Sequence, residues 1–180
     1  VSVLDRIRTA IAGTAFHGRV YLVGGAIRDR LLGRPEPDDL DFVVLGDATS
    51  LAHVLARAGI SDHAPVIYPR FGTARVQIDG VGIELATARS ESYEERSRKP
   101  KVRAASLVED VLRRDFTVNT LLEGLHDGVL LDLTGWAMPD LDRRTIRTPL
   151  EPTRTFKDDP LRMLRAIRLA VTLGFSIENA

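Results

Sequence analysis

Two carboxylates, Asp39 and Asp41, stand two residues apart at the entrance of the apolar run Phe42-Val43-Val44-Leu45. Side chains at i and i+2 of a strand share a face, so the spacing predicts both acids on one side of a β-strand. Asp is depleted in strands, and neighbouring anions repel unless a cation lies between them. A hard divalent cation such as Mg²⁺ suits oxygen ligands of this type. The ordinary alternative has Asp39 closing the Pro37-Asp38 turn and Asp41 capping an edge, and the pair alone leaves both open. Just upstream, Gly24-Gly25 opens a short basic helix with Arg28 one turn in. Free N–H groups and the positive dipole end at such a start suit a phosphate, although a Gly-Gly pair is more often only a turn.

Three further groups could take part. Glu84 becomes a third carboxylate if its strand neighbours Asp39 and Asp41; otherwise it forms a cross-strand pair with Arg75. Arg113, Arg114, Asp115 and Asn119 cluster on one predicted helix face, where arginines can clamp anions and sugars or merely meet solvent. Asp159, Arg162, Arg165 and Arg168 lie along a second helix, the arginines recurring every three residues. A carboxylate with forked guanidiniums on one ridge can bind bases and phosphates, while a linker helix with a wet basic face is the ordinary reading.

The elements that position these residues follow from periodicity and punctuation. Val3, Leu4, Ile7 and Ile11 carry a helical period, which Gly13 stops. Arg19 to Val23 reads as a strand, and Ala26 to Leu32 as a helix closed by Gly33. Ala48 to Ala58 reads as a helix with Leu51, Val54 and Leu55 inward. Thr73 to Ile78, Asp79-Gly80 and Val81 to Ala86 form a predicted hairpin with a type I′ turn; counting back from the turn sets Val76 opposite Ile83 and Arg75 opposite Glu84. Ser90 to Ala105 is charge-dense and aperiodic, a surface loop. Ser106 and Glu109 form a capping box opening a helix through Glu123, with Val108, Val111, Leu112, Val118, Leu122 and Leu125 inward. Leu130 to Leu133 reads as a strand and Thr134 to Asp140 as a loop in which Trp136 is a packing plug. Pro149 to Pro152 breaks the chain. A final helix from about Asp159 to Leu173, capped by Asp158, sets Met163, Leu164, Ile167 and Ala170 opposite its arginines and ends at Gly174.

The 180 residues suffice for one good core and an appendage. At 44% hydrophobic and 28% charged the chain is globular rather than disordered. A formal net charge of zero excludes a bulk basic field, so any nucleic acid must be met by local patches. The absence of Cys excludes disulfides and thiolate metal sites and, with no apolar run of membrane-spanning length, points to a cytoplasmic protein. An end directly after an amphipathic helix points to a fragment.

Four stretches in order resemble the signatures of class II tRNA nucleotidyltransferases, the CCA-adding enzymes and bacterial poly(A) polymerases. They are Gly24-Gly25-Ala26-Ile27-Arg28-Asp29 with Leu31-Leu32-Gly33 and Asp39-Leu40-Asp41; Arg89-Ser90-Glu91-Ser92-Tyr93; Arg113-Arg114-Asp115-Phe116-Thr117-Val118-Asn119; and Asp159-Pro160-Leu161-Arg162-Met163-Leu164-Arg165-Ala166-Ile167-Arg168. Together they cover most of the chain and are highly specific.

The resemblance implies an α+β, polymerase beta-like nucleotidyltransferase head over residues 1–150, a mixed sheet with helices packed on one side. The first helix of an all-α neck follows over 151–180. It implies that an RNA 3′-hydroxyl attacks the α-phosphate of CTP or ATP, with Asp39 and Asp41 holding Mg²⁺ ions and pyrophosphate leaving. Gly24, Gly25 and Arg28 would cradle phosphates, and Arg114 and Asp115 would contact nucleotide and sugar. Asp159 and Arg162 would pair with the base edge, and Arg165 and Arg168 would extend nucleotide or primer contacts. A carboxylate accepts from an exocyclic amine and Arg donates to a ring acceptor, so C and A fit while G and U fit poorly. Two departures stand out. Asp158-Asp159 replaces the usual Glu-Asp, and the loop after Asp132 has Gly135-Trp136 and one extra residue where two glycines are usual. Full CCA addition, CC-only addition, A-only addition and poly(A) addition share these motifs. The reading from another class is a catalytically inactive nucleotide- or RNA-binding module on the same fold. The tRNA 3′ end is the implied partner, gripped tightly only with further C-terminal domains.

Overall fold

The Asp-Gly hairpin forms where the sequence predicts it. In the computed structural model, which describes residues 1–35, 37–92 and 101–179 (backbone alone at 90–92 and 101–104), Asp79 and Gly80 take φ of 53° and 80°. Positive φ at both central positions is what a type I′ turn requires. Arg75 pairs with Glu84 and Val76 with Ile83, as the count from the turn demands.

In chain order the elements are α1 (Val3–Ile11), β1 (Val20–Val23), α2 (Gly25–Leu31), β2 (Asp39–Val44), α3 (Ala48–Arg57), β3 (Val66–Tyr68), β4 (Thr73–Ile78) and β5 (Val81–Thr87). There follow β6 (Arg89–Ser92), β7 (Lys101–Ala104), α4 (Leu107–Leu112), β8 (Leu122–Gly124), β9 (Leu130–Leu131), α5 (Ala137–Asp142), β10 (Thr145–Ile146), α6 (Pro152–Asp158), α7 (Leu161–Leu173) and β11 (Ser176–Ile177). They divide into two compact units: Val1–Ala88 with Leu122–Leu131, and Arg89–Leu121 with Asp132–Ala180.

The first unit is built on a seven-stranded sheet in the order β3-β4-β5-β2-β1-β8-β9. It is mixed: β2 and β5 run parallel and the other neighbours antiparallel. Strand alternation gives the sheet two different faces. On β4, Ala74, Val76 and Ile78 are buried while Arg75 and Gln77 are exposed. The apolar face packs against α3, and α1 packs on α3. Ile7, Ile11, Leu51, Leu55, Ile78, Ile83 and Leu85 all fall at 1% exposure or less in this layer, each burial being worth about 1.5–3 kcal/mol. Local capping fixes where these helices start. Ser2 and Asp5 form a reciprocal capping box on α1, and the Asp47 carboxylate accepts from the Thr49 and Ser50 amides of α3.

The second unit departs from the sequence reading in several places. The helix opened by the Ser106/Glu109 capping box ends at Leu112 rather than running to Glu123. Thr117 withdraws from helical bonding: its amide donates to the Arg147 carbonyl at 2.8 Å and its hydroxyl to Asp140 at 2.6 Å. The β-branched Thr117, Val118 and Thr120 add little helix propensity to resist this. The chain turns through a 3₁₀ segment at Thr117–Asn119, and Leu122 opens a strand. Val108, expected inward, is 46% exposed.

The break expected at Pro149 to Pro152 is followed at once by a helix that the sequence reading did not expect, α6 over Pro152–Asp158. Pro152 occupies the first turn, where a missing N–H costs nothing, and the Glu151 side chain accepts from the Arg154 amide. Asp158 does not cap α7: the N-cap is Pro160, which has no capping side chain, and the preceding Asp159 Oδ1 accepts from the Leu161 amide at 3.1 Å. On α7 the buried stripe centres on Ala166, whereas Met163, Leu164 and Ile167, expected inward, are 48–64% exposed. Part of the Thr134–Asp140 loop is helical as α5. Trp136 is no plug: it is 45% exposed, with the Arg147 guanidinium 4.4 Å above its ring centre. The predicted loop 90–105 has strand backbone in β6 and β7, which pair antiparallel; its centre, 93–100, lies outside the described residues, as does Tyr93 of the second signature. Among the described residues, no helix is long and apolar enough to cross a membrane.

Candidate active site

β2 carries Asp39 and Asp41 on its exposed face, and the burial along the strand changes abruptly after them: Phe42, Val43 and Val44 are all buried. Sheet register sets their neighbours. Asp41 lies beside Glu84 on β5 and Val23 on β1; Glu84 in turn lies beside Arg75 on β4. Arg75, Glu84, Asp41 and Val23 therefore form one row across four strands, about 4.8 Å apart strand to strand. The expected cross-strand relation of Arg75 and Glu84 is present, Nη1 to Oε1 at 3.8 Å, but Arg75 makes its hydrogen bond, 2.8 Å from Nη2, to Asp39.

Gly82 shapes this corner. It lies beside Asp39 in the parallel register, and a Cβ there would stand 1.8 Å from Asp39 Oδ1. Only a residue without a side chain leaves Asp39 its place. The donor set fits a hard divalent ion: two carboxylates on one accessible strand face, oxygen atoms alone, with room for water and substrate phosphates to complete the shell. Among the described residues no group of three or more such ligands stands ready to enclose a metal unaided.

At the end of β1, Gly24 adopts φ 83° and ψ −134°, a conformation open to glycine, and α2 starts from it. Arg28 folds back over this turn. Its Nη2 comes within 3.4 Å of where a Cβ on Gly25 would be, and its Nε and Nη2 form a forked pair with Asp29 at 2.9 and 2.8 Å. Gly24, Gly25 and Arg28, the residues expected to form a cradle, thus lie together in the first unit, with Asp29 fixing the guanidinium.

The second unit brings the remaining candidates into two tethered groups. The sequence reading missed the hub of the first, Asp110, whose carboxylate is fully buried. Its Oδ1 accepts from Arg113 Nη2 at 2.7 Å, its Oδ2 from Arg114 Nη2 at 2.9 Å, and the Arg89 amide reaches Oδ1 at 3.3 Å. Burial pushes the Asp110 pKa up, but the Arg114 and Arg113 charges outweigh it and hold the group below its ordinary value. The signal was present in the sequence: Asp110 precedes Arg113 and Arg114 by three and four residues, the spacing of helical neighbours. Arg114 Nε is buried and has no hydrogen-bond partner among the described residues.

The second group centres on Asp115. Its Oδ1 accepts from its neighbour's amide, Phe116 N, at 2.8 Å and from Asn119 Nδ2 at 3.1 Å, so the expected Asp115–Asn119 contact forms without a helix to carry it. Its Oδ2 takes both Nε and Nη2 of Arg165, at 2.9 and 2.6 Å. Arg162 donates to the Arg113 carbonyl at 2.9 Å, and its own amide bonds the Asp159 carbonyl at 3.1 Å. Asp159 and Arg162 therefore share the first turn at the head of α7, and Arg168 lies exposed further along.

The model of the poly(A) polymerase head domain matches residues 20–147. The chain belongs to that family. Nucleotidyltransferases of the poly(A) polymerase head family generally use divalent metal ions. An A-adding tRNA nucleotidyltransferase of Aquifex aeolicus is 45% identical over 166 residues, which are 90% of this chain and 19% of that protein. A CCA-adding enzyme in its apo form II superposes with a TM-score of 0.82 at 35% identity, over 98% of this chain and 42% of the other. A tRNA nucleotidyltransferase complexed with a primer tRNA and an incoming ATP analog gives a TM-score of 0.73 at 39% identity, over 89% of this chain and 44% of that one. The chain thus spans about a fifth of the Aquifex protein and about two-fifths of the two solved chains. The expected α+β nucleotidyltransferase head, a mixed sheet with helices, is the fold that this family member has.

Proposed function

We propose that this chain is the catalytic part of a template-independent RNA nucleotidyltransferase that adds C, A or both to the 3′ end of tRNA. The observation that carries the reading is Asp39 and Asp41 side by side on the exposed face of β2 in a poly(A) polymerase head fold. In this reaction the RNA 3′-oxygen forms a bond to the α-phosphorus of CTP or ATP, the α–β phosphoanhydride bond breaks, and pyrophosphate leaves. Bound Mg²⁺ would activate the attacking hydroxyl and offset charge on the leaving group. Asp39 and Asp41 would hold it, with Glu84 adding negative charge one strand away. Gly24, Gly25 and Arg28 would receive the triphosphate.

The second unit would supply selection. Arg114, aimed by Asp110, and Asp115 with Asn119 would contact nucleotide and sugar. Asp159 and Arg162 would read the base edge, and Arg165 and Arg168 would extend contacts to nucleotide or primer. We assign residues 1–150 to the catalytic head and 151–180 to the start of the helical neck. The similarity to an A-adding and to a CCA-adding protein supports both C and A as substrates.

The test incubates the full-length protein with tRNA ending before CCA, tRNA ending in CC, CTP, ATP and Mg²⁺, and sequences the product ends. CCA on the first substrate, or A on the second alone, is the expected result and separates the subtypes; an extended A tract would select poly(A) addition. No incorporation of any nucleotide would refute the enzyme reading. Asp41→Ala, at an exposed position, should abolish incorporation while leaving the circular dichroism spectrum unchanged, and retained activity would refute the metal assignment.

A further inference from the structure

One cation already stands among the acids. The Arg75 guanidinium sets Nη2 2.8 Å from Asp39 Oδ1 and Nη1 3.8 Å from Glu84 Oε1. The placement is built into the sheet. Register puts Arg75 directly opposite Glu84, so the guanidinium reaches Asp39 diagonally, across Gly82. A Cβ on Gly82 would stand 1.8 Å from Asp39 Oδ1 and 2.9 Å from Arg75 Nη2, so the bare backbone leaves space for this contact in particular.

We infer that Arg75 is a built-in competitor for the metal: it holds Asp39 while the metal is absent and must release it for the metal to bind. The inference rests on Asp39 and Asp41 being the metal pair. A Mg²⁺-like ion sits about 2.0–2.1 Å from a carboxylate oxygen, and an oxygen so engaged cannot keep a guanidinium N–H at hydrogen-bond distance without bringing two positive charges together. Arg75 can yield, because its side chain is half exposed on a flexible stem and has open solvent to turn into. The consequence is a nucleotide-free protein whose metal affinity is set by exchange, one cation for another, rather than by the carboxylates alone.

The experiment measures Mn²⁺ binding to the nucleotide-free protein by electron paramagnetic resonance, comparing the natural protein with Arg75→Gln and Asp41→Asn. Arg75→Gln should tighten Mn²⁺ by up to about fivefold, the equilibrium equivalent of an exposed ion pair, and Asp41→Asn should remove the binding. Mn²⁺ affinity unchanged or weakened in Arg75→Gln, with binding lost in Asp41→Asn, overturns the role given to Arg75 and leaves the metal pair standing. Mn²⁺ binding retained in Asp41→Asn overturns the metal pair itself.

Discussion

Replacing Asp110 by Asn keeps the shape of the side chain and removes its charge, at a position with no exposure and two guanidiniums within 2.9 Å. The amide puts a donor where Arg113 or Arg114 now donates, so one hydrogen bond turns repulsive and both cations lose their counter-charge. Removing one partner of a buried ion pair costs about 3–5 kcal/mol. The two arginine side chains are each 18% exposed, and water can take up part of their charge, which favours the lower end of that range. About 3 kcal/mol is a large share of a domain stability of about 5–15 kcal/mol, and it corresponds to a melting point lower by roughly 6–12 °C.

Thermal unfolding followed by circular dichroism reads this directly, and pH supplies a second axis. The folded-state pKa of Asp110 lies below its ordinary 3.8, because the Arg114 and Arg113 charges overcome the opposing effect of burial. A depressed carboxyl contributes stability that is fully present above the unfolded value and is lost as pH falls through the folded one. The gap between natural protein and variant should therefore be flat from about pH 5 to 8 and should narrow below about pH 4. A variant melting within about 2 °C of the natural protein at neutral pH would refute the view of Asp110 as the charged hub of this unit.

Two further substitutions probe the site. Arg162→Ala should loosen base choice more than triphosphate binding, with incorporation of G and U relative to C and A rising about tenfold to a hundredfold, the worth of one forked base contact; equal loss for all four nucleotides would argue against base reading. Gly82→Ala should move the melting point little, because the Asp39 carboxylate it strikes is half exposed and can swing aside. Nucleotide incorporation should nonetheless fall about a hundredfold, since a displacement of about 1 Å at a reacting centre costs that much. Activity near the natural level in Gly82→Ala would show that Asp39 need not stand where β2 puts it.

The first unit was legible because its information is local. Alternation along 73–86 and the Asp79-Gly80 turn fix a register, and that register puts Arg75 opposite Glu84 without reference to the rest of the chain. The parallel pairing of β2 with β5, which brings Glu84 beside Asp41, is not local, and the sequence could only raise it as a condition. The second unit was less legible because its apolar spacing fits a helix that its polar atoms forbid. Val111, Val118, Leu122 and Leu125 are all buried, as a helical period predicts, yet they sit on α4, the 3₁₀ segment, β8 and the turn after it. Pro152 misled in the opposite direction: a residue read as a breaker serves as the first turn of α6.

What decides the path after Leu112 also places the candidate chemistry. Were 107–123 one helix, the Phe116 amide would be spent in the helix and the Asp115 carboxylate would stand on its surface. Because the helix stops, Asp115 Oδ1 accepts from the Phe116 amide, and Oδ2 holds Nε and Nη2 of Arg165. The Arg113 carbonyl, at the C-cap of α4, is likewise available to Arg162. The Arg113 carbonyl and the Asp115 carboxylate, both beyond the early end of α4, are the groups that hold Arg162 and Arg165 of α7. A substitution that extended α4 would therefore loosen α7 even if it added helix.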